Sequence, residues 1–446
     1  MRIVAAPEIA NETFSRWLAG PGAAMFPEVL RLAQTQQDYL PWSKVRHTAP
    51  QGLPPEVWWS ALCLARNPSV IDARLVGVGG RPFLLAFPPE LRRLLQEIDR
   101  NAPMAVQTVG AGGAKGVNAL RRAYLQREQM LEAIASSQME GAATTRRMAQ
   151  AMLREARSPQ TEGERMIANN YATIRALDEW REEPLSENLL FRIHRTLTEG
   201  LLPEAERGRY RTTDDIHVRT PTDDIAHLPP PAATLPARLE ALFAFANRQG
   251  GAGGDLPHPV VKAVLLHTLL AYEHPFCDGN GRTARALFYW SLLHDGWWVA
   301  PYVSISRLLR QERKAYDEAY LDMETCHLDT TYCVLANVRI FARGLRTLNA
   351  VIERGAARAR AWRDLFKGQL NARQLDLLEH ALRHPNHHYR IHEHQQWHAI
   401  ANNTARADFD GLEAHGFLKR RKIGRDRYYT DTGLFRSLAE RLGAPA

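Results

Sequence analysis

Cysteine is scarce in this sequence. Cys63, Cys277, Cys326 and Cys333 are the only four among 446 residues, and none stands at the short paired spacing of a zinc site or a disulfide scaffold. Free thiols in a reducing compartment are therefore expected. No run approaches the ~20 apolar residues that a bilayer-spanning helix needs, so no membrane partner is expected. The opening MRIVAAPEIANETFSRW also lacks the basic segment and apolar stretch of an export signal. The expected location is the cytoplasm. Internal repeats and low-complexity tracts are missing as well.

What is present has an ordinary balance. Apolar residues make up 45% and charged residues 24%, the composition of a globular protein rather than a disordered or fibrous one. Single cores stop growing near ~250 to 300 residues, so two to four domains are expected. The net charge of +8 favours an anionic partner, whether nucleic acid, nucleotide or acidic protein, and says nothing of fold.

Residues 1 to 115 mix amphipathic segments with VIDARLVGVGG and RPFLLAF, which read as a strand pair around a glycine turn. From Gly116 onward the apolar spacing turns helical, and a long helix is expected to end near Glu140-Gly141. Another helix is expected over 187 to 200. Arg207 to Pro231 is rich in Thr, Asp and Pro and reads as a long loop or short hairpin. The stretch Pro259 to Tyr272 is apolar nearly all round, as a helix at the centre of a bundle must be. It should stop at Glu273-His274-Pro275, because the residue before proline is driven out of helical geometry. A new helix is expected from about Gly281 to Leu293, and a basic helical linker over Arg354 to Arg363.

Between the two central helices lies His274-Pro275-Phe276-Cys277-Asp278-Gly279-Asn280-Gly281-Arg282-Thr283-Ala284-Arg285. The Gly-Asn-Gly turn brings bare backbone N–H groups close to a ligand, and the next helix adds its unsatisfied donors and positive dipole end. Arg282 and Arg285 share a helix face and suit phosphate oxygens. Asp278, just before this cradle, offers a hard carboxylate to Mg2+. His274 can accept a proton at neutral pH, as a hydroxyl attacking phosphorus requires. Phe276 anchors the loop. Each fragment alone is a common turn or cap; it is their contiguity that points to polyphosphate chemistry.

The string resembles the Fic family signature H-x-F-x-D/E-G-N-G-R-x-x-R, matched at His274, Phe276, Asp278, Gly279, Asn280, Gly281, Arg282 and Arg285. The resemblance implies a mainly α fold with a Fic-type helical bundle core over about 161 to 350. It also implies a nucleotidyltransferase that moves AMP from ATP, with Mg2+, onto a Ser, Thr or Tyr hydroxyl of a protein target, itself included. His274 would be the base, Asp278 the metal ligand, and Gly279, Asn280, Gly281 and Arg282 the α- and β-phosphate site, with Arg285 facing the γ-phosphate. The related Doc kinases carry lysine where Gly281 stands here, which argues for nucleotidyl transfer. Gly208-Arg209-Tyr210-Arg211 with residues 212 to 231 resembles the family flap that aligns a target by strand addition. Tyr316 resembles a tyrosine beside the adenine; a core tyrosine is the alternative.

Ser136-Ser137-Gln138-Met139-Glu140-Gly141 resembles the family's inhibitory motif S/T-x-x-x-E-G/N, here on a region from 116 to 160 that precedes the core. An arginine held by Glu140 cannot also grip a γ-phosphate. An exposed Ser and Glu pair on a helix is the plainer reading. Residues 365 to 446 resemble a winged helix-turn-helix domain. Its recognition helix would start near Thr404, break at Gly416, and be followed by two strands around Gly424 that carry Lys419, Arg420, Arg421, Lys422, Arg425 and Arg427. DNA is the sharper partner for this domain, and a docking or dimerising role, giving a homodimer, is the other. The competing overall function is a DNA-binding regulator whose Fic core senses nucleotide.

Overall fold

Helix boundaries follow local chemistry. Thr161 and Ser186 accept backbone N–H groups at the starts of the helices Glu162–Trp180 and Glu187–Leu197. The long helix Lys115–Met139 stops where Gly141 takes a left-handed φ of 94° and Ala142 N–H returns to Ser137 O at 3.0 Å. The helix therefore ends at the position expected from its sequence, with Glu140 one residue past its end. The computed structural model describes residues 4–20, 22–110, 115–219, 225–248, 257–297, 299–365, 368–383, 387–398, 400–423 and 426–441. Among these the chain is mainly α, with three two-stranded antiparallel ladders. It divides into two units, Met1–Arg100 with Arg127–Leu345, and Asn101–Gln126 with Arg346–Ala446.

At the centre of the first unit the helix Pro259–Glu273 buries all its residues except Pro259 and Ala271. It packs along the helix Asn280–His294, which is buried nearly as completely. The one lysine so enclosed, Lys262, is paired with Asp295 at 3.0 Å, as a buried charge must be. The helices Glu162–Trp180 and Glu187–Leu197 pack against Asn280–His294. The N-terminal residues join the same unit. The helix Pro55–Arg66 carries Trp58 and Trp59 into a cluster with Trp42, Cys326 and Tyr332, and Arg66 stacks over the Tyr39 ring at 4.2 Å. The expected strand pair near the glycine turn is present but short, Ser69–Val70 against Leu84–Leu85. The expected hairpin after residue 207 pairs Val218–Arg219 with Ile225–His227; residues 220–224 lie outside the described residues.

The basic stretch Arg354 to Arg363 is helical as expected, and it continues the helix Thr331–Leu365. Good helix formers without glycine breaks after Gly355 let the helix propagate. In the second unit the helices Ala372–Arg383, Ile391–His398 and Asn402–Ala414 precede a hairpin, Leu418–Ile423 with Asp426–Asp431. Tyr389 and Tyr429 exchange two backbone hydrogen bonds of 2.8 Å, so a third extended segment adjoins the hairpin. Phe409, Leu412, Phe417, Tyr429 and Phe435 close its core. The sequence reading did not anticipate the final helix Leu434–Arg441. Gly424 and Arg425 of the expected wing lie outside the described residues, as does the Arg427 side chain.

Candidate active site

The loop between the two central helices is built from both ends. His274 closes the first helix in the left-handed region, φ 45° and ψ 55°, a conformation that costs a non-glycine residue ~1 kcal/mol or more. It is held there by its own N–H on Leu270 O at 3.0 Å and by Arg211. Arg211 Nε donates to His274 O at 3.0 Å and its backbone N–H to Pro275 O at 2.8 Å. Gly279, φ 83°, starts the second helix. Asn280 spends its amide on the loop itself, donating to Phe276 O at 2.8 Å and accepting from Phe276 N–H at 2.9 Å. Its side chain thus shapes the cradle, and the backbone of Gly279 to Gly281 provides the surface.

The two arginines have different surroundings. Arg282 is fully buried, donating to Asp278 Oδ2 at 3.0 Å and to Leu197 O at 3.4 Å. It therefore acts by holding Asp278, whose side chain stays 54% exposed, and through its charge. Arg285 is gripped by the segment that ends at Glu140: Nε donates to Ser136 Oγ at 2.8 Å, and Nη2 to Ser136 O at 3.0 Å and Glu140 Oε1 at 2.8 Å. The Glu140 carboxylate also reaches the start of the second helix, where a Cβ on Gly281 would lie 2.4 Å from Glu140 Oε1. A carboxylate thus lies at the helix start beside a guanidinium, as the dipole end and the positive charge favour. Burial pushes the Glu140 carboxyl up, but the charge and hydrogen bond of Arg285 outweigh it, and the carboxyl is held below the usual range.

The surroundings of His274 favour a neutral ring. Its Nδ1 lies 3.4 Å from Ala271 O; a carbonyl only accepts, so the proton sits on Nδ1 and the Nε2 lone pair is free. Burial pushes the ring down to about 4, and the charges of His227 and Arg211 add to the effect. Tyr316, in contrast, is a core residue: 9% exposed, with its hydroxyl on His267 Nε2 at 2.9 Å and Tyr320 at 3.3 Å. Burial and these bonds engage its polar end, in keeping with the core alternative.

Two supporting residues escaped the sequence reading. His194 stacks on Phe276 with ring centroids 3.8 Å apart. Its Nδ1 accepts from Gly208 N–H at 3.0 Å, so Nε2 carries the proton and donates to Asp278 O at 2.9 Å. It thereby fixes the backbone of the loop. Glu132, one turn before Ser136, is buried and accepts from Ser304 Oγ at 3.0 Å and Ser306 N–H at 2.9 Å. That anchors the helix bearing Ser136 and Glu140. The only signal for either was a lone polar residue on an apolar face, a pattern that fits any buried polar contact.

Against this geometry stand the known proteins. The family described as Fic/DOC matches residues 184–292, the segment that carries His194, the hairpin, His274 and both arginines. The similarity to that family is confined to this segment. The Protein adenylyltransferase Fic of Nematostella vectensis is 34% identical over 116 residues, 26% of this chain and 25% of that protein. That of Culex quinquefasciatus is 32% identical over 128 residues, 29% of this chain and 22% of that protein. The chain thus spans about a quarter of the length of these Fic relatives. The fold likeness is wider: the crystal structure of a Fic family protein from Desulfovibrio desulfuricans G20 superposes with a TM-score of 0.53 over 78% of this chain and 97% of that one, at 19% identity. Among the described residues no helix is long and apolar enough to cross a membrane.

Proposed function

We propose that this chain is a protein AMP-transferase, moving AMP from ATP to a hydroxyl side chain of a protein, and that Glu140 inhibits it from within. The observation that carries the reading is the Glu140 carboxylate seated on Arg285 at the start of the second helix, where a γ-phosphate would bind. The Nε2 of His274 takes the proton of the target hydroxyl as its oxygen attacks the α-phosphorus; the bond to the β-phosphate oxygen breaks, and pyrophosphate leaves. Gly279 to Gly281 hold the phosphates through backbone N–H groups, and Arg282 supports them by fixing Asp278. The hairpin Val218–Arg219 with Ile225–His227 serves as the flap, one strand edge of which accepts an extended segment of the target.

Among the described residues no three His, Cys, Asp or Glu side chains gather as a metal cage, but Mg2+ held by one carboxylate and the phosphates needs none. Asp278 fits that mode; Mg2+ there would neutralise phosphate charge. With Glu140 in place the same pocket can turn water on the α-phosphorus of the modified target, breaking its bond to the target oxygen and releasing AMP with the hydroxyl restored. Asp278→Ala should abolish Mg2+-dependent transfer and weaken ATP binding in Mg2+ while leaving the affinity in EDTA unchanged; isothermal titration in both buffers checks this, and equal loss in both would point to misfolding. Intact-mass spectrometry of the protein with ATP and Mg2+, with and without Glu140→Gly, tests the reaction itself: a gain of one AMP is the expected product, and its absence in both would remove the reading.

A second reading, a DNA-binding regulator whose Fic core senses nucleotide, draws on the basic strand Leu418–Ile423 and on the helix order of the second unit. Arg420 is paired with Asp410 at 3.1 Å and Glu413 at 3.0 Å. Lys419 and Arg421, alternate residues on one strand face, are exposed. If they grip DNA, the slope of log affinity against log salt should become shallower by about two when both are replaced by alanine, as ~0.9 per phosphate predicts. A fluorescence-anisotropy titration from low salt upward measures it, and no binding at low salt would leave docking or dimerisation as the role of the unit.

A further inference from the structure

A helix end leaves its last carbonyls without partners, and here that debt falls next to the base. Leu270 O is met by His274 N–H. Ala271 O would accept from residue 275, but that residue is proline and has no N–H. Tyr272 O would accept from Phe276 N–H, which goes instead to Asn280 Oδ1 at 2.9 Å. Two histidine rings fill the gaps. His274 itself meets Ala271 O, and His227 Nε2 lies 2.7 Å from Tyr272 O. His227 is the last residue of the returning hairpin strand, 8% exposed, with its ring 4.8 Å from that of Tyr272. Its Nδ1 is 2.7 Å from Glu324 Oε1, on the helix Arg313–Thr325.

The hairpin needs such an anchor. Among the described residues its strands are two and three residues long and form a two-stranded ladder, and a two-stranded hairpin is marginal by itself. Its place is therefore set at its roots. Arg211 holds the outer root through Thr213 O at 2.7 Å and Asp214 at 2.9 Å, and bonds to Pro230 O. His227 ties the strand itself to the helix that carries the base.

We propose that His227 is a positioning residue that fixes the hairpin against the end of the base-bearing helix, and so sets the distance between a target hydroxyl and His274 Nε2. This rests on the transfer reading above. The ring acts through Tyr272 O, two residues before the base. Because a reacting pair displaced by ~1 Å can lose ~10²-fold in rate, loosening this contact should slow transfer without altering nucleotide affinity.

The test uses the full chain carrying Glu140→Gly, with ATP labelled on the α-phosphate and the protein itself as the acceptor. His227→Leu, which removes the donor, should lower kcat for self-labelling by ~10- to 100-fold with KM for ATP unchanged within ~2-fold. His227→Gln, whose amide N–H can reach the same carbonyl, should restore most of the rate. In parallel, hydrogen exchange of the amides of residues 225–227 should lose protection in the leucine variant and keep it in the glutamine one. An undiminished kcat in His227→Leu, a glutamine variant as slow as the leucine one, or a matching rise in KM for ATP would each overturn the assignment. If the Glu140→Gly parent takes no label at all, the transfer reading falls, and the exchange result alone decides whether His227 anchors the hairpin: protection unchanged in the leucine variant overturns it.

Discussion

Replacing Glu140 by glycine should raise the rate of AMP transfer, self-labelling included, by ~10- to 100-fold. Hydrogen bonds to charged groups are worth ~1.5 to 3 kcal/mol, and each ~1.4 kcal/mol is tenfold in rate. In the resting protein Arg285 spends that interaction on Glu140 Oε1 at 2.8 Å. Removing the carboxylate frees the guanidinium and the helix start together, so the population able to receive ATP with its γ-phosphate oriented rises by the free energy the contact had supplied. The Ser136 bonds to Arg285 remain, so the freed arginine stays pointed at the cradle. The double variant Glu140→Gly, Arg285→Ala should lose the gain, because the group that orients the phosphate is then missing. Single-turnover labelling of the purified variants measures all three rates. A folded Glu140→Gly variant at or below the parent rate would make Glu140 a helix-end surface residue or a hydrolytic base instead.

His274→Ala should reduce transfer by ~10²- to 10⁴-fold, the range that a lost general base commands, while ATP still binds, because the phosphate cradle lies on the next helix. Filter binding of ATP beside the labelling assay separates the two. The pH dependence carries a sign as well. An unperturbed histidine would lose its proton-accepting form as pH falls through ~6.5. Burial pushes His274 down to about 4, so the ring stays neutral as pH falls from 8 through the ordinary histidine range. The rate attributable to the base should therefore be flat over that interval and decline only as pH approaches the lowered value. A decline centred on the ordinary histidine range would mean that the base is more exposed in the working enzyme than in this structure, or is another residue.

Much of the site was legible because it is contiguous. His274 to Arg285 is a loop and the first turn of a helix, where local rules of proline, glycine and dipole apply directly, and the structure closes and opens helices at those residues. The end of the long helix before Glu140 was readable for the same reason, since Gly141 marks it. Residues that act from a distance were not legible. His194 sits in a helix whose apolar spacing gives no hint that its ring will lie on Phe276, and Glu132 looks like any acid on an amphipathic helix. Tyr316 was readable as either a pocket or a core tyrosine, and its bond to buried His267 was not legible in the sequence.

Periodicity, breakers and the run His274 to Arg285 by themselves determined that the chain is helical, where its central helices stop, and which side chains gather at the loop between them, because those are properties of neighbours along the chain. The tertiary structure decided how those side chains are engaged. It placed Glu140 on Arg285 across 145 positions of sequence, assigned Arg282 to the support of Asp278, and brought His227 under the last carbonyl turn before the base. Such contacts depend on how separate helices pack, and packing is set by the sum of many weak apolar contacts that no single stretch of sequence displays.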